Sequence, residues 1–323
     1  VMTGTVGPLR ELVEGQAFNG MALACPIEKL GDVSFCRDYA IRYPYVGGSM
    51  AKGISSVAMV EALAHAGMLG FFGAAGLLIE EVEAAIDQLE SSSAGLTYGF
   101  NLIHSPNEPE LENALVDLYL LRGINLVEAS AFLALTPALV RYRTHGISRD
   151  AQGRVVAPNR IIAKISREEV AARFFAPPPE RFLHKLVAAG DLTAEQAAMA
   201  AEIPMAQDVT VESDSGGHTD NRPALALFPT IKAQKNIWQK EYNYSQPLRV
   251  GLGGGIATPA ATAAAFAMGA AYVITGSVNQ SCVEAGVTPT VRDMLVAAGQ
   301  ADVTMAPAAD MFEMGGKVQV LKR

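Results

Sequence analysis

Short apolar runs alternate with amphipathic segments along most of this chain. Eight of the runs are apolar almost throughout, as expected of strands that are buried on both faces. Most are followed by a segment with helical periodicity or helix-capping residues, so the pattern predicts repeated strand–helix units and a parallel sheet. The predicted strands are residues 42–50, 68–73, 96–104, 124–130, 160–166, 206–213, 248–255 and 271–277.

The helical segments carry typical start and stop signals. The helix predicted at 55–67 begins with an N-cap serine and ends with a glycine, and Thr-Pro pairs open those at 136–146 and 258–269. Eight strand–helix units in about 250 residues predict an α/β fold of the (β/α)8 TIM-barrel type. A doubly wound open sheet is the alternative. The other predicted helices are residues 79–91, 108–123, 180–190, 193–202 and 223–242.

Three segments lie outside this alternation. Residues 1–40 precede the first strand and are interpreted as an N-terminal cap on a barrel formed by residues 41–323. Residues 167–205, between the fifth and sixth strands, contain two helical patterns and predict an inserted helical subdomain, expected over the mouth of the barrel. Residues 278–323 are too long for a single closing helix and form a C-terminal extension.

Composition narrows the class of protein. Of 323 residues, 50% are hydrophobic and only 7% aromatic, which predicts a core of small and aliphatic side chains. The formal net charge of −8 argues against nucleic acid as the main partner. Cys25, Cys36 and Cys282 form no CxxC pair, which favours reduced thiols in a cytoplasmic protein. We find no signal peptide and no apolar run long enough to span a membrane, and expect no membrane partner.

Glycines cluster where the predicted strands end. Gly48 follows the first strand, Gly216 and Gly217 the sixth, and residues 253–255 the seventh. In a TIM barrel these ends form the active site, and the turns after strands seven and eight commonly bind phosphate. The sequence "GLGGGIATP" and the pair Gly276 and Ser277 therefore predict a phosphate site, with ordinary structural turns as the alternative. The glycines of these two turns are Gly253, Gly254, Gly255 and Gly276.

Polar residues also interrupt the apolar strand ends. Asn101 is either a ligand-binding residue or a satisfied core amide, and Lys164 either faces a ligand or forms a salt bridge with Glu128 or Glu212. His218, directly after two glycines, is the candidate proton donor or hydrogen-bond donor of the site. No residue spacing indicates a metal site or a GxSxG nucleophile. The remaining histidines are expected to be structural or at the surface: His65, His104, His145 and His184.

Five sequence motifs resemble one known group of barrels. They are "GGSMAKGISS", "GFNLI", "ESDSGGHTDNRP", "GLGGGIATP" and "VITGSVNQSCVEAG". From about residue 30 onwards the chain resembles the flavin-binding barrels of nitronate monooxygenases and FMN-dependent enoyl reductases. Within this group it is most similar to the PfaD-like trans-acting enoyl reductases of polyunsaturated fatty acid synthases and trans-acyltransferase polyketide synthases. Members of that subgroup continue beyond "KVQVLKR", so a C-terminal piece is expected to be missing.

The resemblance implies an FMN-bearing TIM barrel that uses NADPH to reduce the double bond of enoyl chains on an acyl carrier protein. Its partners would be components of a polyketide or fatty acid synthase, and a homodimer is left open. Asn101 and Lys164 would contact the polar edge of the flavin, and His218 would face the substrate. The remaining flavin contacts implied are Gly48, Ser49 and Met50 at the ring, Gly216 and Gly217 beneath the ribityl chain and phosphate, and Gly254, Gly255, Gly276 and Ser277 at the phosphate.

One departure separates the two branches of the group. Nitronate monooxygenases typically have the motif E-A-G-G-H-x-G. This chain has Asp214 and Ser215 in place of the first two residues, and Asp220 in place of the final glycine. The departure favours the reductase branch. A nitronate monooxygenase-type flavoenzyme and a flavin-free docking module of a synthase are the alternatives.

Overall fold

Eight parallel strands form a closed barrel in the computed structural model, which describes residues 25–106, 108–214, 220–307 and 317–322. Each barrel strand pairs with the next barrel strand along the chain, and the last barrel strand pairs with the first. The TIM-barrel prediction is therefore confirmed, and the alternative of an open sheet is wrong. The barrel strands are β1 (Tyr45–Gly47), β2 (Leu69–Phe72), β3 (Tyr98–Ile103), β4 (Leu126–Ser130), β7 (Arg160–Ile165), β8 (Asp208–Glu212), β9 (Arg249–Gly253) and β10 (Val273–Thr275).

The remaining strands lie outside the barrel. A short hairpin of β5 (Ser148–Arg149) and β6 (Val155–Val156) precedes β7. After the barrel, β11 (Val303–Pro307) pairs antiparallel with β12 (Lys317–Leu321). Neither hairpin was predicted from the sequence, because neither carries the continuous apolar run of a strand buried on both faces.

Helices surround the barrel, and several begin as the sequence predicted. Ser56, Thr136 and Thr258 each accept a hydrogen bond from a backbone N–H in the first turn of the helix that follows. The helices are α1 (Val33–Asp38), α2 (Val57–His65), α3 (Ile79–Ser92), α4 (Pro109–Leu121), α5 (Pro137–Thr144), α6 (Glu168–Phe175), α7 (Glu180–Ala189), α8 (Ala194–Ala200), α9 (Ala224–Tyr242), α10 (Pro259–Ala267) and α11 (Pro289–Ala297).

The inserted helices lie between the fifth and sixth barrel strands. Of α6, α7 and α8, the first packs on α9 and on strands β7 and β8, as a normal barrel helix does. Helices α7 and α8 pack on α5 and on each other, so the insertion thickens the outer helical layer on one side. This placement corrects the expectation that the insertion covers the mouth, because the apolar faces of α7 and α8 are used against α5.

Two layers of core hold the fold together. The larger one lies between barrel and helices, and a smaller one fills the barrel interior. Glycines on the inner faces of the strands make room for the large interior side chains. A Cβ atom on Gly99 would lie 2.4 Å from the ring of Phe71, and one on Gly251 would lie 2.3 Å from the ring of Tyr272. The barrel interior is therefore packed and does not form a pore.

Helix α1 closes the amino-terminal end of the barrel. Phe35 stacks on Tyr272 with ring centroids 4.2 Å apart, and the Tyr39 hydroxyl donates to Asp208 at 2.7 Å. Arg249 donates to Asp208 from both Nε and Nη2, at 2.6 and 3.0 Å, and all three polar residues are buried. This end is thus filled by an apolar stack and a compensated ion pair, which leaves the carboxyl ends of the strands for function.

Within the described residues, no helix is both long and apolar enough to cross a membrane. Cys25, Cys36 and Cys282 are all free thiols.

Candidate active site

A turn after β1 forms one wall of the site. Ser55, which is buried, closes the turn with its hydroxyl: it donates to the carbonyl of Gly48 at 2.7 Å and accepts from the N–H of Met50 at 2.9 Å. The backbone of Gly48 also donates to the carbonyl of Thr275 on β10, at 2.9 Å. The segment Gly48–Ser49–Met50 is therefore held against the end of β10.

A buried carboxylate joins this turn to the opposite side of the barrel. Glu128, on β4, is fully buried, and its Oε2 accepts from the backbone N–H of Ser49 at 2.9 Å and from the Ser49 hydroxyl. Lys164 Nζ, on β7, lies 3.4 Å from the same oxygen. Glu128 Oε1 is buried and has no hydrogen-bond partner among the described residues. One carboxylate oxygen thus serves two of the predicted site residues.

Lys164 is a nearly buried cation between two carboxylates. Its Nζ lies 3.4 Å from Glu128 and 3.8 Å from Glu212, so both of the salt bridges weighed from the sequence are present. Burial alone would lower the pKa of Lys164, but the charges of Glu128 and Glu212 outweigh it and raise that pKa to about 12. The ammonium is therefore charged at neutral pH, and 12% of the side chain remains exposed.

The side-chain N–H groups of Asn101 are satisfied within the core. Its Nδ2 donates to the carbonyl of Glu128 at 3.1 Å and to the Ser130 hydroxyl at 2.9 Å. The side chain is buried, and the Tyr119 hydroxyl donates to its backbone carbonyl at 2.7 Å. These bonds link β3 to β4 beneath the mouth, and a contact between Asn101 and a cofactor stays a prediction.

The two glycine turns expected to hold a phosphate lie side by side, because β9 and β10 are neighbours in the barrel. A Cβ atom on Gly255 would meet no atom closer than 3.8 Å, and one on Gly276 none closer than 3.9 Å, where Met50 lies. Both positions therefore border open space. Gly255 has a φ of +69°, which a side chain would disfavour whatever the space.

The other two glycines of these turns serve the fold. A Cβ atom on Gly253 would lie 2.3 Å from Cγ2 of Ile274, so its missing side chain makes room inside the barrel. Gly254 has a φ of +89°, and a Cβ atom there would lie 1.8 Å from the carbonyl oxygen of Ser213. Gly254 is required for the turn to pass against the end of β8, and its backbone stays a predicted phosphate contact.

The residues fit a bound phosphate-bearing cofactor. The open positions at Gly255 and Gly276, the start of a 3-10 helix at Ser277 and the charged Lys164 border the same end of the barrel. Glycine turns of this kind present backbone N–H groups that suit a phosphate, and an ammonium suits an electron-rich ring edge.

The loop after β8 carries His218, Gly216 and Gly217, which lie outside the described residues. Both stems of this loop are described. The backbone N–H of Asp214 donates to the carbonyl of Arg222 at 2.8 Å, which closes the loop at its base. Asp220 accepts from Nε and Nη2 of Arg167, at 2.8 and 2.9 Å, in a fork-like pair.

Sequence reasoning missed several residues that hold the site together. The pattern indicates Ser55 only as part of a helix start and Glu128 only as a partner of Lys164, and it does not predict the pair Arg167–Asp220. Long-range pairs of this kind leave no local pattern in a sequence. For the pair Arg167–Asp220, the only indication in the sequence was the aspartate at position 220, where related motifs have glycine.

His104 has a structural role, as expected. Its Nδ1 lies 2.8 Å from Oε2 of Glu112, its ring stacks on Phe132, and Thr136 donates to the other oxygen of Glu112. The imidazole therefore joins the end of β3 to α4 and α5.

Among known proteins, the chain is 47% identical over 323 residues to a polyunsaturated fatty acid synthase protein of a Thraustochytrium species, covering 99% of this chain and 21% of that protein. It is 47% identical over 297 residues to the polyketide biosynthesis protein PksE of Bacillus subtilis, covering 92% of this chain and 39% of that protein. The chain thus spans between about a fifth and two fifths of these curated relatives. No protein-family model matches the chain.

Among solved structures, the enoyl reductase domain of MlnA, from the macrolactin cluster of Bacillus amyloliquefaciens, matches with a TM-score of 0.89 and 41% identity. The match covers 92% of this chain and 67% of that one. FabK of Thermotoga maritima matches with a TM-score of 0.61 at 22% identity, which shows a shared fold alone. With the barrel, the MlnA domain and two kinds of synthase relatives in agreement, the chain belongs to the PfaD-like enoyl reductase family of polyunsaturated fatty acid and polyketide synthases.

Proposed function

We propose that the chain is an FMN-dependent, NADPH-driven enoyl reductase that acts on enoyl thioesters bound to an acyl carrier protein. The observation that carries the proposal is the similarity to the MlnA enoyl reductase domain, at 41% identity over 92% of this chain. Relatives named as parts of polyunsaturated fatty acid and polyketide synthases support a setting in which other synthase components are the partners.

The glycine turns support FMN as the cofactor. In the proposal, the backbone of Gly254, Gly255, Gly276 and Ser277 holds the single phosphate, and Gly48, Ser49 and Met50 line the ring. Lys164 donates to an acceptor at the polar edge of the ring, and Glu128 keeps that ammonium in place from below. Among the described residues, one pair of adjacent glycine turns borders open space, which favours one phosphate and hence FMN over FAD.

The chemistry that FMN supplies when bound is hydride transfer between NADPH and the β-carbon of the enoyl thioester. The chain's own part is to orient the acyl group and to complete the reduction with a proton at the α-carbon. His218 is the proposed proton donor, with an ordered water as the alternative. Arg167 and Asp220 would hold the stem of the loop on which His218 lies.

The test begins with the visible spectrum of the purified protein, before and after NADPH in the absence of oxygen. We expect a flavin spectrum that NADPH bleaches, and a chromophore released by heat with the mass of FMN. Release of FAD would contradict the cofactor assignment. A protein that cannot be loaded with any flavin would instead favour the docking module.

The second stage separates the two half-reactions by stopped flow. His218→Ala should leave reduction by NADPH close to wild type and slow reoxidation by the enoyl thioester, by up to about 10²–10⁴-fold if general acid catalysis is lost. His65→Ala, at an exposed position on α2, is the matched control. Unchanged reoxidation would remove His218 from the reaction, and oxygen-dependent turnover of an alkyl nitronate that depends on His218 would favour the monooxygenase.

A further inference from the structure

A cavity lies at the amino-terminal end of the barrel, opposite the candidate active site. Its volume is about 360 Å³, at the lower end of the range for small-molecule pockets. It is bounded by residues 31–33, by the first residues of β9, by the end of α10 and by one face of α9. None of the predicted active-site residues lines it.

Lys232, on α9, is fixed at the wall of this cavity. Its Nζ donates to the carbonyl of Met268, at the end of α10, at 3.1 Å. Gly269 makes this position available, because a Cβ atom there would lie 2.0 Å from Lys232 Nζ. An ammonium has three N–H donors, so further donors remain for a ligand.

Lys235, one turn further along α9, is partly buried in the same cavity. No hydrogen bond or ion pair links it to another residue in the described part of the chain. Burial, and then the positive charge of Lys232, lower its pKa below the usual 10.5, while Asp32 acts in the opposite direction. A partly desolvated cation with a like charge beside it is unfavourable, and an anion would relieve both effects.

The other charged groups of the cavity compensate the two lysines only in part. Arg249 lines the wall, but its guanidinium is already bound by Asp208 and Asp38. Asp32 is the single acidic residue among the lining residues, and its Oδ1 accepts from the backbone N–H of Ser34 at 2.8 Å. Two lysines therefore face one carboxylate in a chain that is acidic as a whole.

We propose that this cavity is a binding site for a phosphate-class oxyanion, with Lys235 as the principal ligand and Lys232 as the second. Hydrogen bonds between an ammonium and an anionic oxygen are among the strong ones in proteins. The ligand is either free inorganic phosphate or the phosphate group of an ester, for which the cavity has room. The proposal does not depend on the enoyl reductase activity.

Thermal unfolding of the FMN-saturated protein tests the site, since bound FMN keeps phosphate out of the glycine turns. Inorganic phosphate is titrated against sodium chloride at constant ionic strength. We expect a saturable rise in Tm of about 2–4 °C at roughly ten times the Kd. Glycerol 3-phosphate in a parallel titration distinguishes the sources: an equal response assigns the site to free phosphate, and saturation at lower concentration assigns it to an ester.

Two variants on the same helix decide the outcome. Lys235→Met should abolish the phosphate response while retaining the wild-type circular dichroism, and the exposed Lys240→Met should keep the full response. A response that Lys235→Met leaves intact would overturn the proposal. Loss of the response in both variants would also overturn it, because the effect would then be one of general charge. If the protein takes up no flavin, the same comparison on the flavin-free protein still isolates Lys235.

Discussion

Arg167 donates two parallel hydrogen bonds to the carboxylate of Asp220, at 2.8 Å from Nε and 2.9 Å from Nη2. Ser166 donates to the same carboxylate at 2.7 Å. The pair ties the stem of the loop after β8 to the carboxyl end of β7. It is also where this chain departs from the glycine of related motifs, so the departure has a structural consequence.

We predict that Asp220→Asn lowers the free energy of unfolding by about 1–2 kcal/mol, since a charge-assisted pair is replaced by a weaker one. Hydrogen bonds from Arg167 hold the pKa of Asp220 below its usual 3.8. The stabilisation is therefore present above pH 3.8 and is lost as the pH falls through the lower, folded-state pKa. Urea unfolding of both proteins at neutral and acidic pH measures this, and a gap that does not shrink in acid would contradict it.

Gly276→Val should abolish flavin binding without unfolding the protein. A Cβ atom on Gly276 would meet no atom closer than 3.9 Å, near Met50, so the added side chain would occupy open space and displace no neighbour. We expect a folded, colourless protein with FMN affinity reduced at least about tenfold. Full flavin occupancy in this variant would show that the phosphate lies elsewhere.

Gly254→Ala provides the contrast to Gly276→Val. Its φ of +89° and the carbonyl of Ser213, 1.8 Å from the new Cβ atom, require the backbone to move. We expect a loss of more than about 1 kcal/mol in unfolding free energy, measured on the flavin-free protein. Wild-type stability would mean that the turn adapts, and the assignment of Gly254 to the fold would then be wrong.

Lys164→Met should destabilise the protein by about 3 kcal/mol, because it leaves Glu128 as a buried charge without its cation. The double variant Lys164→Met with Glu128→Gln should regain most of that loss, since neither charge remains. Chemical denaturation of the wild type, Lys164→Met, Glu128→Gln and the double variant gives the coupling energy. Additive losses would show that the two residues do not form an energetic pair.

The same pair predicts a dependence on alkaline pH. Because the folded-state pKa of Lys164 is raised from 10.5 to about 12, its stabilisation is complete below pH 10.5 and disappears as the pH rises towards 12. Lys164→Met should lack this part of the alkaline loss of stability. Identical alkaline profiles for the variant and the wild type would contradict it.

Docking of an acidic carrier protein needs a local basic surface on this acidic chain. Two groups of arginines are candidates for such a surface: Arg141, Arg143 and Arg149, and Arg167, Arg173 and Arg181. Arg143 is buried, and Arg141, Arg149 and Arg167 are paired with acids. Arg173 and Arg181 are exposed and carry no ion pair among the described residues.

We predict that Arg173→Glu with Arg181→Glu raises KM for the carrier-bound substrate by about tenfold and leaves a small thioester mimic nearly unchanged. Arg154→Glu, on the β5–β6 hairpin and paired locally with Asp150, is the control. Equal losses on both substrates would remove these two arginines from docking.

The pattern of the sequence determined the barrel and most of its helices. Continuous apolar strands and capped helices are local signals, and all eight barrel strands fall inside the predicted segments. The positions of Lys164, Gly255 and Gly276 at strand ends followed from that pattern as well, because strand order places every such end at one mouth.

The tertiary structure alone decided which residues meet there. Ser49 and Glu128 are 79 positions apart and Arg167 and Asp220 are 53 apart, so no local pattern links them. Strand β7 pairs with β4 on one side and with β8 on the other, and this pairing places Lys164 between Glu128 and Glu212. Glycines that look alike in sequence divide in the same way: Gly253 makes room for Ile274, whereas Gly276 borders open space, because their neighbours come from other strands.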